Sequence, residues 1–349
     1  MHRKKIVLVF GGCSPEYEVS LKSSYAVASS ISGGKYELIL LGITRTGRWY
    51  RYTGPLDRLP DDTWHLDPRH CRTAVLSPDR PGCLLEFSGG GVMKTGIDTV
   101  FPVLHGQNGE DGAIQGLCQL AGIPVIGCGT LSAALCMDKD RAHRLVAGAG
   151  IRVPKSVRLD SPPPASDLAV LTDGLPCPLF VKPLRAGSSI GVKKVACHSH
   201  LSAAVREAFR FDSAVIIEEG IDGFEVGCAV MGNDTLTIGR VDEIELADGF
   251  FDYTEKYTLK TSRIHMPARI TPETEERIWD AAARIYRLLG CQGFARVDMF
   301  LTPDGEIVFN EVNTIPGFTP HSRFPNMMRG IGIGFEELVD RLIELGLDA

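Results

Sequence analysis

The 349-residue sequence predicts a doubly wound α/β domain followed by two α+β domains. Three observations predict it. The chain is longer than one ordinary hydrophobic core supports, so two or three domains are expected. Over the first third, unbroken apolar runs ending in glycine alternate with helical spacing, as parallel strands buried on both faces do. Beyond residue 129 the apolar runs come in pairs around small or turn-forming residues, as hairpins do.

The first run, KKIVLVFGG, reads as a buried parallel strand that feeds a helix. EVSLKSSYAVASSI follows with helical spacing at Val19, Tyr25, Val27 and Ile31. YELILLGIT, TVFPVLHG and IPVIGCG read as a second, third and fourth strand, closing an α/β domain over residues 1–128. Its stretch from Arg51 to Gly91, rich in Pro, Gly, Asp and Arg, reads as loops and short strands inserted at the sheet edge. DKDRAHRLVAGAG opens a new pattern with a helix ending at the glycines near residue 150. PLFVKPLRAGSSIGVKKV reads as a hairpin, and AVIIEEGIDGFEVGCAVMG as strand, turn, strand. These give a central unit over 129–220 and a last one over 221–349, in which ERIWDAAARIYRLLG is an amphipathic helix.

The composition narrows the function classes. Net charge is -6, and no run of five like charges occurs, which argues against nucleic-acid and membrane-surface partners. No stretch approaches the ~18 apolar residues of a membrane span, and the run Ile6 to Phe10 is too short for a signal peptide. Ten cysteines without a CxxC pair suit reduced thiols in a cytoplasm better than a zinc ribbon or a secreted disulfide framework.

Two hairpins carry chemistry. Strand residues two apart share a face, so Arg296 and Asp298 in ARVDMF face together, as do Glu311 and Asn313 in VFNEVNT. The turn signal TPDG joins the two segments, and pairing brings Asp298, Glu311 and Asn313 to one spot as hard oxygen donors suited to Mg2+. An exposed polar hairpin face is the plain alternative. Apolar Val297, Met299, Phe300, Val308 and Phe309 on the same strands favour a one-sided cleft instead. In KPLRAGSSIGVKKV, backbone N–H groups of the Gly-Ser loop can close over phosphates and Lys182 can add a point charge. Such a loop is more often just a turn, and this is not a Walker A sequence. FGGCSPEYEVS places Glu16 at a helix entrance, and LHGQNGEDG carries His105, Glu110 and Asp111 in a loop whose plain role is capping or turning.

With these residues in view, the sequence resembles the ATP-grasp ligases that join D-alanine to a second D-amino acid for peptidoglycan. The resemblance runs nearly end to end. Seven motifs carry it in order: GGxSxExxVS at 11–20, LHGxxGEDGxxQG at 104–116, MDK at 137–139, VKPxxxGSSxGVxKV at 181–195, EKY at 255–257, RVD at 296–298 and NEVNTxPGFTxxSR at 310–323. It implies a three-domain ATP-grasp fold with ATP held between the central and C-terminal units, and a mobile loop near 245–262.

The roles it implies follow the motifs. Glu16 resembles the acid that holds the ammonium of the first D-alanine, tied to Ser188 and Tyr257, and His105 sits where the family contacts that substrate. Lys139 and Lys182 resemble phosphate-binding lysines, with Ser188 and Ser189 in the loop over the phosphates. Glu218, Glu219 and Ile221 fall where adenine is met, Glu225 matches the ribose-binding acid, and Lys256 and Tyr257 sit on the closing loop. Asp298, Glu311 and Asn313 match the ligands of two Mg2+ ions, with Mn2+ as a substitute. Arg296 and the N–H of Gly317 are the implied oxyanion donors, and Ser322 with Arg323 lies where the second substrate is met. A cytoplasmic homodimer is also implied.

At that second subsite, Phe251 stands where housekeeping D-alanine–D-alanine ligases commonly have Tyr, and Arg323 replaces a Leu or Met. The chain keeps EKY, which lactate-incorporating members lack. This combination is most similar to the D-alanine–D-serine ligases of the vancomycin-resistance G type, with Arg323 and Asp242 expected to orient a polar group. A D-alanine–D-alanine ligase, a catalytically inactive nucleotide-binding module and an ATP-grasp carboxylase are the competing readings.

Overall fold

A computed structural model describes residues 3–246 and 262–348 of the chain. Three sheets organise it. The first has seven strands in the order β6-β5-β4-β3-β2-β1-β7, built from β1 (Lys4–Gly11), β2 (Tyr36–Ile43), β3 (Trp49–Tyr52), β4 (Cys71–Leu76), β5 (Cys83–Ser88), β6 (Gly91–Gly96) and β7 (Thr99–Val103). Strands β2, β1 and β7 are parallel and carry the predicted apolar runs. The Pro- and Gly-rich insert forms an antiparallel meander that extends the sheet beyond β2.

Gly11 ends β1 at φ 88, where a side chain would strike the Ile43 carbonyl oxygen at 2.1 Å. Its N–H donates to Ser20 Oγ (2.8 Å), which pins the helix Tyr17–Ser30 to the strand end. Glu16 is thereby set at the carboxyl edge of the parallel strands, where α/β sheets place their sites.

The expected fourth strand, IPVIGCG, is absent. Only an isolated bridge pairs Val100 with Val125. Pro124 has no N–H for a ladder, and Gly127 at φ 117 turns the chain away after Ile126 donates to Val100.

The second sheet has the order β10-β9-β11-β8, from β8 (Ser156–Leu159), β9 (Leu179–Pro183), β10 (Lys193–Val195) and β11 (Val215–Glu219). The predicted β9–β10 hairpin forms, with Val181 opposite Lys193. The third sheet runs β15-β14-β12-β16-β17, with β13 (Thr237–Ile238) paired to β12. Its other strands are β12 (Phe224–Met231), β14 (Asp242–Leu246), β15 (Ser262–His265), β16 (Phe294–Leu301) and β17 (Ile307–Asn313). The segment read as strand, turn, strand therefore leaves one sheet at Glu219 and enters another at Phe224.

Helix Pro272–Leu288 backs the third sheet. Thr271 caps it by accepting from Thr274 N, Pro272 takes the first turn, Glu273 and Glu275 face the positive end, and Arg287 lies in the last turn. Its Ile278, Ala282, Ile285 and Tyr286 are fully buried in one core with Val226, Val297, Met299 and Phe309.

A bulge explains how β17 carries both core and site residues. Asp298 pairs with Glu311, but Met299 pairs with Phe309, so Asn310 is the extra residue. Regular alternation would put Phe309 and Glu311 on one face. The bulge sends Phe309 into the core and leaves Glu311 in the cleft.

Candidate active site

A cavity of about 680 Å³ lies between the second and third sheets. Its walls combine Phe180 and Lys182 of β9, Glu218 and Glu219 of β11, Ile221 and Asp222 of the crossover, and Glu225, Ile244, Phe300, Asn310 and Glu311 of the third sheet. Lys139 and Ser189 close it. One side is apolar and the other carries paired charges. An aromatic base and a polyphosphate need such a division.

The two lysines are held in place by acids. Lys182 Nζ meets Glu218 Oε2 at 2.6 Å, and Lys139 Nζ donates to Ala186 O (3.0 Å) with Glu311 Oε2 at 3.6 Å. Burial alone would lower Lys182, but Glu218 and Glu311 outweigh it and raise its pKa. For Glu218 burial works upward, and Lys182 and His143 bring it below the usual range.

Beyond Glu311 the hairpin face continues into an ionic cluster. Arg296 holds Asp298 with Nε at 2.8 Å and Nη2 at 2.7 Å, and Asn313 Nδ2 donates to the same carboxylate at 2.8 Å. Arg323 is bidentate to Asp242 (2.7 and 2.8 Å), donates to Glu225 Oε1 (2.9 Å) and lies 3.5 Å from Asp298. Arg323 and Asp242 are thus paired with each other. The guanidinium is also deeply committed to carboxylates. Glu225 both lines the cavity and binds Arg323.

On the other side, Ser188 at φ 50 brings its hydroxyl onto the Glu16 carboxylate. Gly106, at φ 74, lies against that carboxylate: a side chain there would meet Glu16 Oε2 at 2.6 Å. His105 has both ring nitrogens engaged within the protein, by Ser23 Oγ (3.1 Å) and Ile315 O (2.8 Å), and burial lowers its pKa. Burial and the nearby Glu16 push Glu110 up to about 8, against two backbone N–H bonds that act downward. Asp111 accepts from Asn108 N and Ala113 N and serves the turn alone. Ser322 Oγ accepts from Thr319 N (3.0 Å) beside Gly317. Phe251, Lys256 and Tyr257, with the EKY motif and nearly all of the loop near 245–262, lie outside the described residues.

Comparison with known proteins is decisive for the family. The description "D-ala D-ala ligase N-terminus" matches residues 5–128, and "D-ala D-ala ligase C-terminus" matches residues 145–344. The chain belongs to the D-alanine–D-alanine ligase family. A solved VanG D-Ala:D-Ser ligase from Enterococcus faecalis is 57% identical, with 99% of each chain covered and a TM-score of 0.92. VanC1, a vancomycin C-type resistance protein of Enterococcus gallinarum, is 43% identical over 98% of both chains. D-alanine–D-alanine ligase A of Chromobacterium violaceum is 41% identical over 100% of this chain and 96% of that one. The protein is thus an ATP-dependent D-alanine–D-X ligase with the ATP-grasp fold.

Within this ligase, sequence reasoning missed part of the cavity wall and the support behind it. Phe180 faces the cavity because it stands two residues before Lys182 on β9, a period-two signal that was available. His143 had no such signal. Its Nε2 meets the Asn310 carbonyl at 2.8 Å and its Nδ1 lies 3.8 Å from Glu218, so it braces both the bulge and the lysine's partner.

The donor set suits a hard divalent cation. Asp298, Glu311 and Asn313 lie on one hairpin face and would supply oxygen donors to such a cation, although among the described residues no group of three His, Cys, Asp or Glu side chains is placed to hold a metal ion. Among the described residues, five carboxylates, of Glu218, Glu225, Asp242, Asp298 and Glu311, meet four cations, Lys139, Lys182, Arg296 and Arg323.

Proposed function

We propose that this ligase joins D-alanine to D-serine through a D-alanyl phosphate made from ATP, supplying D-alanyl-D-serine for peptidoglycan precursors that confer vancomycin resistance. The carrying observation is 57% identity to a D-Ala:D-Ser ligase, against 41% to a D-alanine–D-alanine ligase. The SRFP sequence at 322–325, which resembles the SRYP of vancomycin-resistance ligases, agrees with it.

In this reading Glu16, braced by Ser188, holds the ammonium of D-alanine. The D-alanine carboxylate attacks the γ-phosphorus, the bond to the β–γ bridging oxygen breaks, and ADP leaves. Lys139 and Lys182 offset the negative charge of the phosphates, with Ser189 in the loop above them, while Glu218, Glu219 and Ile221 line the base side and Glu225 the ribose side. Asp298, Glu311 and Asn313 are the residues that would hold Mg2+, or Mn2+ in its place, which lends positive charge to the phosphates when bound. The amine of D-serine then attacks the acyl carbon, and phosphate departs. Arg296 and the Gly317 N–H stabilise the oxyanion of that tetrahedral intermediate. Phosphorylation supplies the leaving group that a free carboxylate lacks.

ADP release with ATP and D-alanine, D-serine, or both tests the order of roles. Release with both, and none with D-serine alone, is expected. Equal release with D-serine alone would overturn the assignment of D-alanine to the Glu16 side.

A further inference from the structure

The segment Ile315–Phe318 carries the Gly317 amide, and side chains packed on the first sheet hold it from across the molecule. Glu110 Oε1 accepts from Ile315 N at 2.9 Å while its Oε2 accepts from Gly106 N at 2.9 Å. His105 Nδ1 lies 2.8 Å from the Ile315 carbonyl, which can only accept, so Nδ1 bears the proton. Its Nε2 is therefore the acceptor for Ser23 Oγ at 3.1 Å, and Ser23 in turn accepts from Phe318 N at 3.1 Å. The bonds run in one direction, from Phe318 N–H to Ser23, from Ser23 O–H to His105, and from His105 N–H back to Ile315. Burial, which keeps His105 neutral, preserves that direction.

Three backbone groups are thus fixed on either side of Pro316-Gly317. Pro316 has no N–H. Among the described residues the half-buried Gly317 N–H has no acceptor, so it is the one donor of this stretch left for a bound group. Ser23, His105 and Glu110 are all buried, and among the described residues Glu110 has no cation beside it, only these two N–H groups and the charges of Glu16 and Glu311. A buried acid kept on such terms has a structural task at this loop.

We propose that Ser23, His105 and Glu110 form a positioning frame that aims the Gly317 N–H at the oxyanion of the second, amide-forming step. They touch no reacting atom and act through the loop. The inference rests on the ligation reading above, and its test separates the two steps.

Ser23→Ala removes one attachment, and Glu110→Gln turns an amide NH2 toward a backbone N–H, removing another. Step one is read by D-alanine-dependent scrambling of labelled oxygen between the bridging and non-bridging positions of ATP, and step two by dipeptide formed per ADP. In both variants scrambling and the KM for ATP should stay within about twofold of wild type. Dipeptide turnover should fall roughly ten- to hundred-fold, with ADP released without product. Unchanged coupling in both variants, or an equal loss of both steps, overturns the frame. A wild-type protein that shows no D-alanine-dependent scrambling removes the ligation reading itself.

Discussion

Asp298 is held from three sides, by Arg296, Arg323 and Asn313. Glu311, directly opposite, lines the cavity with Lys139 Nζ 3.6 Å away. Glu311→Gln keeps the shape and removes the charge, so turnover should fall about 10²–10³-fold. ADP-release rates at saturating Mg2+, with an unchanged thermal midpoint, check this. Arg323 behaves differently because it neutralises Asp242 and Glu225 together. Arg323→Leu leaves these acids without their cation and should destabilise the protein by about 3–5 kcal/mol. Denaturant unfolding measures it, and a loss below 1 kcal/mol would show the cluster to be well hydrated. A selectivity swap at this position is therefore a stability experiment first.

At the scale of elements, the β16–β17 hairpin was legible because TPDG and the two-residue spacings specify pairing and face. Its bulge was not, because one inserted residue leaves no compositional trace and is set by contacts from afar. Phe309 N donates to Arg152 O, and His143 meets the Asn310 carbonyl. Deleting Asn310 would make Phe309 and Glu311 neighbours on opposite faces of a regular strand and remove the carbonyl that meets His143, so the variant should keep a cooperative thermal melt with a lowered midpoint. The missing fourth strand has the opposite cause: IPVIGCG is apolar enough, but proline and glycine deny it a ladder. Helix Pro272–Leu288 was announced by its own sequence. Thr271→Ala should cost about 1 kcal/mol, seen as a small fall in the thermal midpoint with catalysis unaffected.

At the scale of the whole molecule, the motifs identified the residues but not the contacts between distant segments that place them. The Glu16–Ser188 bond joins the first sheet's edge to the Gly-Ser loop, and His105 and Glu110 join it to Ile315, over separations of 172, 210 and 205 residues. No periodicity within one segment encodes such joins. They bring the Gly-Ser loop, the Glu16 carboxylate and the Ile315–Phe318 segment together, which the proposed function takes as one site. The central claim is that this site couples D-alanine to D-serine. It is tested most directly by mass spectrometry of the products formed from ATP, D-alanine and an equimolar choice of D-alanine, D-serine and D-lactate as second substrate. D-alanyl-D-serine should dominate; a product mixture that is mainly D-alanyl-D-alanine or D-alanyl-D-lactate would contradict the account.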